Sequence, residues 1–187
     1  MKMTFNLPTT LTLLRIILIP LLTVIFYLPW QYSNLACTLI FIIAGITDWL
    51  DGYLARKMAQ ETPFGAFLDP VADKLMVAIV LVLIVQQQPN AYMAIAAAVI
   101  IGREITIASL REWMAEIGKR AKVKVSQLGK WKTTAQMLAI TLLLYHEDLA
   151  GIPVNIVGYV LLYIAVLLTL WSMVNYLRAA LTAITEQ

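Results

Sequence analysis

Four aspartates dominate the chemistry open to this chain: Asp48 and Asp51 stand three residues apart, and Asp69 and Asp73 four apart. Such spacings put side chains on one face of a helix, so each pair presents two carboxylates together. The first pair lies near the end of the apolar stretch Ser33 to Lys57 and the second near the start of Phe67 to Val85. A short connection should make these stretches antiparallel neighbours, so that the four carboxylates converge. Four negative charges in a low-dielectric place repel strongly, and one or two divalent cations are the natural counter-charge. A ligand set of oxygens, without Cys or His, favours Mg²⁺, Mn²⁺ or Ca²⁺ over zinc.

Small residues accompany the carboxylates. Gly52 and Ala55 follow Asp48 by four and seven positions, and Gly65 precedes Asp69 by four. The faces carrying the acids are otherwise bare, so a bulky group can approach the backbone there. Close packing of membrane helices uses the same residues, and for Ala55 alone the two readings weigh equally. Cys37 is the single cysteine, which excludes an intramolecular disulfide and reads as a small apolar residue packed inside its stretch.

The elements that position these residues belong in lipid. Of the 187 residues 61% are hydrophobic and 13% charged, with a mean hydropathy of +0.80, outside the range of soluble domains. Six stretches are apolar: Pro8 to Leu28, Ser33 to Lys57, Phe67 to Val85, Ala91 to Trp113, Trp131 to Tyr145 and Pro153 to Leu177. About 20 residues cross a bilayer core, so the fifth is short. The expected fold is all-α: a six-transmembrane-helix bundle forming one domain over residues 1–187. Arg15 and Pro20 interrupt the first stretch, which therefore reads as a retained span and not a cleaved signal.

With the N-terminus inside, the outward turns Pro29 to Tyr32, Gln86 to Asn90 and His146 to Ile152 hold no Lys or Arg, and all fourteen basic residues fall on the inner half. Positive residues stay cytoplasmic on insertion, so both termini are expected in the cytoplasm. The net charge of +3 suits anionic membrane lipids better than nucleic acid. Lys119, Arg120, Lys122 and Lys124 form a basic loop with that role, and His146 reads as an ordinary surface histidine.

Arg103 lies inside the fourth stretch with Glu104 beside it; an internal ion pair is one reading of it, and an anion site the other. Arg111, Lys130 and Lys132 flank the inner ends of the fourth and fifth stretches, where snorkelling anchors are common. With Arg103 they also make the cluster that a phosphate-bearing acceptor would need.

Asp48, Asp51, Gly52, Ala55, Arg56, Gly65, Asp69 and Asp73 together stand as D-x2-D-G-x2-A-R-x8-G-x3-D-x3-D. This resembles the signature of the CDP-alcohol phosphotransferases in every fixed position. Asn6-Leu7-Pro8-Thr9 through Arg15, Gly102-Arg103-Glu104 and Gly129-Lys130-Trp131-Lys132-Thr133 are similar to bacterial members that act on glycerol 3-phosphate, over nearly the whole chain.

The resemblance implies an enzyme of the bacterial cytoplasmic (inner) membrane, usually a homodimer. It would transfer the phosphatidyl group of CDP-diacylglycerol to sn-glycerol 3-phosphate, releasing CMP, at a site facing the cytoplasm. The four aspartates would hold two divalent ions, Mg²⁺ or Mn²⁺, with Asp73 also the general base. Gly52, Ala55, Arg56 and Gly65 would meet the donor, as would Asn6 and Thr9 unless these only cap a helix. Arg103, Arg111, Lys130 and Lys132 would take the acceptor phosphate. A family member with another acceptor, such as serine, an inositol phosphate or phosphatidylglycerol, is the nearest rival. A cation-coupled transporter is the rival from another class, but it would want carboxylates at mid-membrane and repeated halves.

Overall fold

A computed structural model describes residues 7–58, 62–118, 127–148 and 151–185. Asn6 and the basic loop Lys119 to Lys124 lie outside these, as do the side chains of Gly52, Ala55, Arg56 and Lys130. The described chain is helical throughout: α1 Leu7–Tyr27, α2 Ser33–Met58, α3 Pro63–Gln87, α4 Ala91–Glu116, α5 Gln127–Tyr145 and α6 Val154–Thr185. Four of them, α1, α2, α4 and α6, are long and apolar enough to cross a membrane.

Local chemistry sets the helix ends. Thr62 caps α3 by accepting the Gly65 N–H at 3.0 Å, and Pro63 sits in the first turn, where a missing N–H costs nothing. The helix therefore begins four residues before the apolar stretch. Asn90 caps α4 by accepting the Met93 N–H at 2.8 Å. Inside the apolar stretches, Thr23, Thr38 and Thr141 donate to the carbonyls of Ile19, Asn34 and Met137 one turn back, which satisfies these hydroxyls within their own helices.

The core runs along the bundle axis through Leu22, Phe41, Leu81, Ile84, Met93, Ile100, Ile140, Leu143 and Leu162, all buried. Ile17, Val24, Val82, Ile95, Ile156 and Leu167 are each more than half exposed, the outward apolar surface that a bilayer covers. At Gly158 an added Cβ would come within 2.8 Å of Leu143 Cγ, which shows how closely α5 and α6 approach.

Two expectations are corrected. The helices α2 and α3 are not packed neighbours, because α1 lies between them and packs extensively against both. That insertion brings Thr12 and Arg15 among the aspartates. His146 is also no ordinary surface residue. It is half-buried, has φ 64°, and its Nδ1 meets the side-chain nitrogens of Gln88 at 2.9 Å and Asn155 at 3.2 Å. With Asn155 also donating to the His146 carbonyl at 2.9 Å, this cluster ties the end of α3 to the α5–α6 turn.

Candidate active site

The aspartates stand at the facing ends of α2 and α3, and α1 supplies what joins them. Arg15 is 1% exposed and donates from Nη1 to Asp48 Oδ1 at 2.9 Å and to Asp73 Oδ1, and from Nη2 to Asp51 Oδ2 at 2.5 Å. One turn earlier on α1, Thr12 donates to Asp69 Oδ1 and lies 3.5 Å from Asp51 Oδ2. All four carboxylates thus belong to one hydrogen-bonded centre. Asp51 is buried beneath it, while the side chains of Asp48 and Asp73 are 45% and 46% exposed. In the sequence Arg15 read as a break in the first stretch, a charge on the inner half and the end of a motif, with no partner given to it; a cation inside an apolar span was itself the signal that acids would surround it.

A cavity of about 650 Å³ opens beside the centre. Arg15, Asp48, Asp73, Lys74, Glu104 and Lys132 form its polar end, and residues of α2, α3 and α5 such as Phe41, Ile46, Met76 and Met137 form its apolar wall. This combination accepts an amphipathic ligand: a charged group at the carboxylates and a chain along the apolar side.

Four carboxylates gathered about one guanidinium form a set of oxygen donors rich in negative charge. Oxygen donors with that excess of charge fit divalent cations of the Mg²⁺ type. The carboxylates are disposed around Arg15, and among the described residues no group of three or more acidic, His or Cys side chains is arranged to hold a metal ion.

The candidate acceptor cations separate into two groups. Arg103 Nη1 donates to Glu104 Oε1 at 2.8 Å and Nη2 to Ser172 Oγ at 3.0 Å, while Lys132 Nζ reaches the same Glu104 oxygen at 2.9 Å. The internal ion pair is therefore real, and Lys132 faces the large cavity. Arg103 and Arg111 instead line a separate recess of about 100 Å³ with Lys74, Glu104 and Tyr176. Lys74 and Tyr176 are additions that the sequence did not single out.

The small residues divide as well. Gly65 is buried, and an added Cβ would stand 3.0 Å from Thr62 Oγ1 and 3.1 Å from Thr9 Oγ1, so its bareness serves the contact between α1 and α3. Thr9 is 2% exposed, lies 3.1 Å from Thr62 Oγ1, and is not among the residues lining the cavity.

Comparison with known proteins shows the family. Residues 5–171 match the CDP-alcohol phosphatidyltransferase family. A Haemophilus influenzae protein named CDP-diacylglycerol–glycerol-3-phosphate 3-phosphatidyltransferase is 57% identical over 178 residues, 95% of each chain. Proteins of the same name from Salmonella choleraesuis and Shigella flexneri are 53% and 52% identical over 185 residues, covering 99% of this chain and all of theirs. The match runs through the aspartate centre and over nearly the full length, and the chain belongs to the CDP-alcohol phosphatidyltransferase family.

Proposed function

We propose that the protein transfers the phosphatidyl group of CDP-diacylglycerol to sn-glycerol 3-phosphate, giving phosphatidylglycerophosphate and CMP. The observation that carries this reading is the gathering of all four signature aspartates in one hydrogen-bonded centre, two of them, Asp48 and Asp73, at the polar end of a cavity whose other wall is apolar. The relatives' names, over full-length matches, support the acceptor.

Members of the family generally use divalent metal ions. Here Asp48, Asp51, Asp69 and Asp73 would hold them, as Mg²⁺ or Mn²⁺ and as a pair. When bound, such ions bind diphosphate oxygens and offset the charge that develops at phosphorus. The chain's own residues do the rest. Asp73, half-exposed to the cavity, takes the proton of the acceptor hydroxyl. The hydroxyl oxygen then attacks the donor phosphorus, and the bond to the CMP oxygen breaks. Arg56, Gly52, Ala55 and Asn6 belong to the donor side of this reading through their motif positions, whereas Gly65 and Thr9 contribute packing. Arg103 and Arg111, joined by Lys74 and Tyr176, take the acceptor phosphate in the small recess; Lys130 and Lys132 belong to the acceptor side through their motif positions, and Lys132 lines the larger cavity.

The same reading places six spans in one domain over residues 1–187, both termini and the site on the cytoplasmic side of the bacterial inner membrane, and two copies in a dimer. One-sided Lys and Arg support the orientation. Purified protein in micelles with CDP-diacylglycerol and Mg²⁺ should release CMP rapidly with glycerol 3-phosphate and slowly with serine, myo-inositol or glycerol. Equal use of serine would overturn the acceptor, and no CMP release with any alcohol would overturn the reaction.

A further inference from the structure

An arginine inside an apolar helix is costly unless anions surround it. Arg15 is 1% exposed, and its partners come from two other helices: Asp48 and Asp51 on α2 and Asp73 on α3. Those helices make little direct contact, since α1 lies between them. The guanidinium is therefore the charge that allows the carboxylates to be near one another in the apolar interior. It also stands at the point they share, and among the described residues no group of three acidic, His or Cys side chains is arranged to hold a metal ion. Its hold is confined to the tip: Nη1 and Nη2 carry all three contacts, and the buried Nε has no hydrogen-bond partner among the described residues. A cation arriving from the cavity meets Asp48 and Asp73 on their exposed sides and is repelled by a guanidinium already bonded to the same carboxylates.

We propose that Arg15 is the internal counter-ion of the aspartate centre, holding its carboxylates together before a divalent cation loads and giving up at least one of its three contacts when it does. The inference rests on the reading of these aspartates as metal ligands. Arg15 is a positioning residue: it stabilises the metal-free centre and weakens cation binding through competition for the same oxygens.

The test uses the full-length protein in micelles without lipid substrate. Mn²⁺ alone is the probe, with binding followed by electron paramagnetic resonance and thermal unfolding recorded in excess chelator. Arg15→Met removes the charge, and Arg15→Lys keeps it but loses the fork. Both should unfold at lower temperature than wild type in chelator. Both should also bind Mn²⁺ more tightly, Arg15→Met by at least about tenfold, the equivalent of one charge-assisted hydrogen bond no longer surrendered on loading.

Unchanged or weaker Mn²⁺ binding in the variants would show that Arg15 does not compete, and would overturn the proposal while leaving the metal reading intact. Absence of Mn²⁺ binding in wild type and variants alike would overturn both. Should the variants not fold, wild type labelled with ¹⁵N-arginine decides: Arg15 Nη–H signals that are protected in chelator must shift on saturation with Mg²⁺. Signals that do not move would sink the proposal.

Discussion

Replacing Arg111 by alanine probes the proposed acceptor subsite with little structural disturbance. Arg111 is exposed, lines the recess with Lys74, Arg103 and Tyr176, and forms no ion pair among the described residues. Arg103 is a poorer probe, because its loss also removes bonds to Glu104 and Ser172. Truncating an exposed, unpaired side chain shifts stability by about 0.5 kcal/mol at most. A charge-assisted hydrogen bond to phosphate is worth roughly 1.5 to 3 kcal/mol, and exposure favours the lower end, which corresponds to about a tenfold change in affinity. Steady-state CMP release should therefore show kcat/KM for glycerol 3-phosphate falling about tenfold, with the KM for CDP-diacylglycerol unchanged. Arg111→Lys, which keeps the charge without the bidentate fork, should recover part of the loss. If the folded Arg111→Ala protein kept wild-type kcat/KM for glycerol 3-phosphate, the recess would not be the phosphate site. If the donor KM rose instead, Arg111 would belong to the other substrate.

Asp73→Asn should lower turnover by about a hundredfold to ten-thousandfold while circular dichroism stays helical, and a residual rate near wild type would remove Asp73 as the base. Gly65→Ala drives a methyl group against Thr62 and Thr9, whose hydroxyls stand 3.0 and 3.1 Å from it. Overpacking of this kind costs about 1 to 3 kcal/mol, so thermal unfolding in micelles should move down, and an unmoved transition would refute the packing role. Reporter fusions after Trp30, Asn90 and Gly151 should all read as outside. A cytoplasmic signal from the Asn90 fusion would overturn the orientation and with it the cytoplasmic site.

The aspartate spacings were legible because a helix converts intervals of three and four into a shared face whatever else surrounds it. Apolarity alone found the start of α4 at Ala91 but missed that of α3, which the Thr62 cap and Pro63 set four residues before Phe67. Tertiary neighbours were not legible, and the place of α1 is the clearest case. Sequence adjacency argued that α2 and α3 touch, yet Thr12 and Arg15 come between them. An arginine flanked by Leu14 and Ile16 announces that it needs anions, but nothing local says which. His146 was misread for a related reason. Its partners Gln88 and Asn155 come from segments that only the assembled outer end of the bundle brings together.

The acceptor cations show how adjacency in sequence can mislead at the scale of one residue. Asp73 and Lys74 are neighbours, but consecutive residues on a helix with 3.6 per turn point about 100° apart. Asp73 accordingly meets Arg15, whereas Lys74 also borders the recess lined by Arg103 and Arg111. The two compartments share Lys74 and Glu104 in their walls. On the proposed reading the acceptor spans these two compartments, with its phosphate in the recess and its hydroxyl toward Asp73. Glycerol 3-phosphate carries both groups on a three-carbon frame, whereas serine has a hydroxyl but no phosphate to engage Arg111.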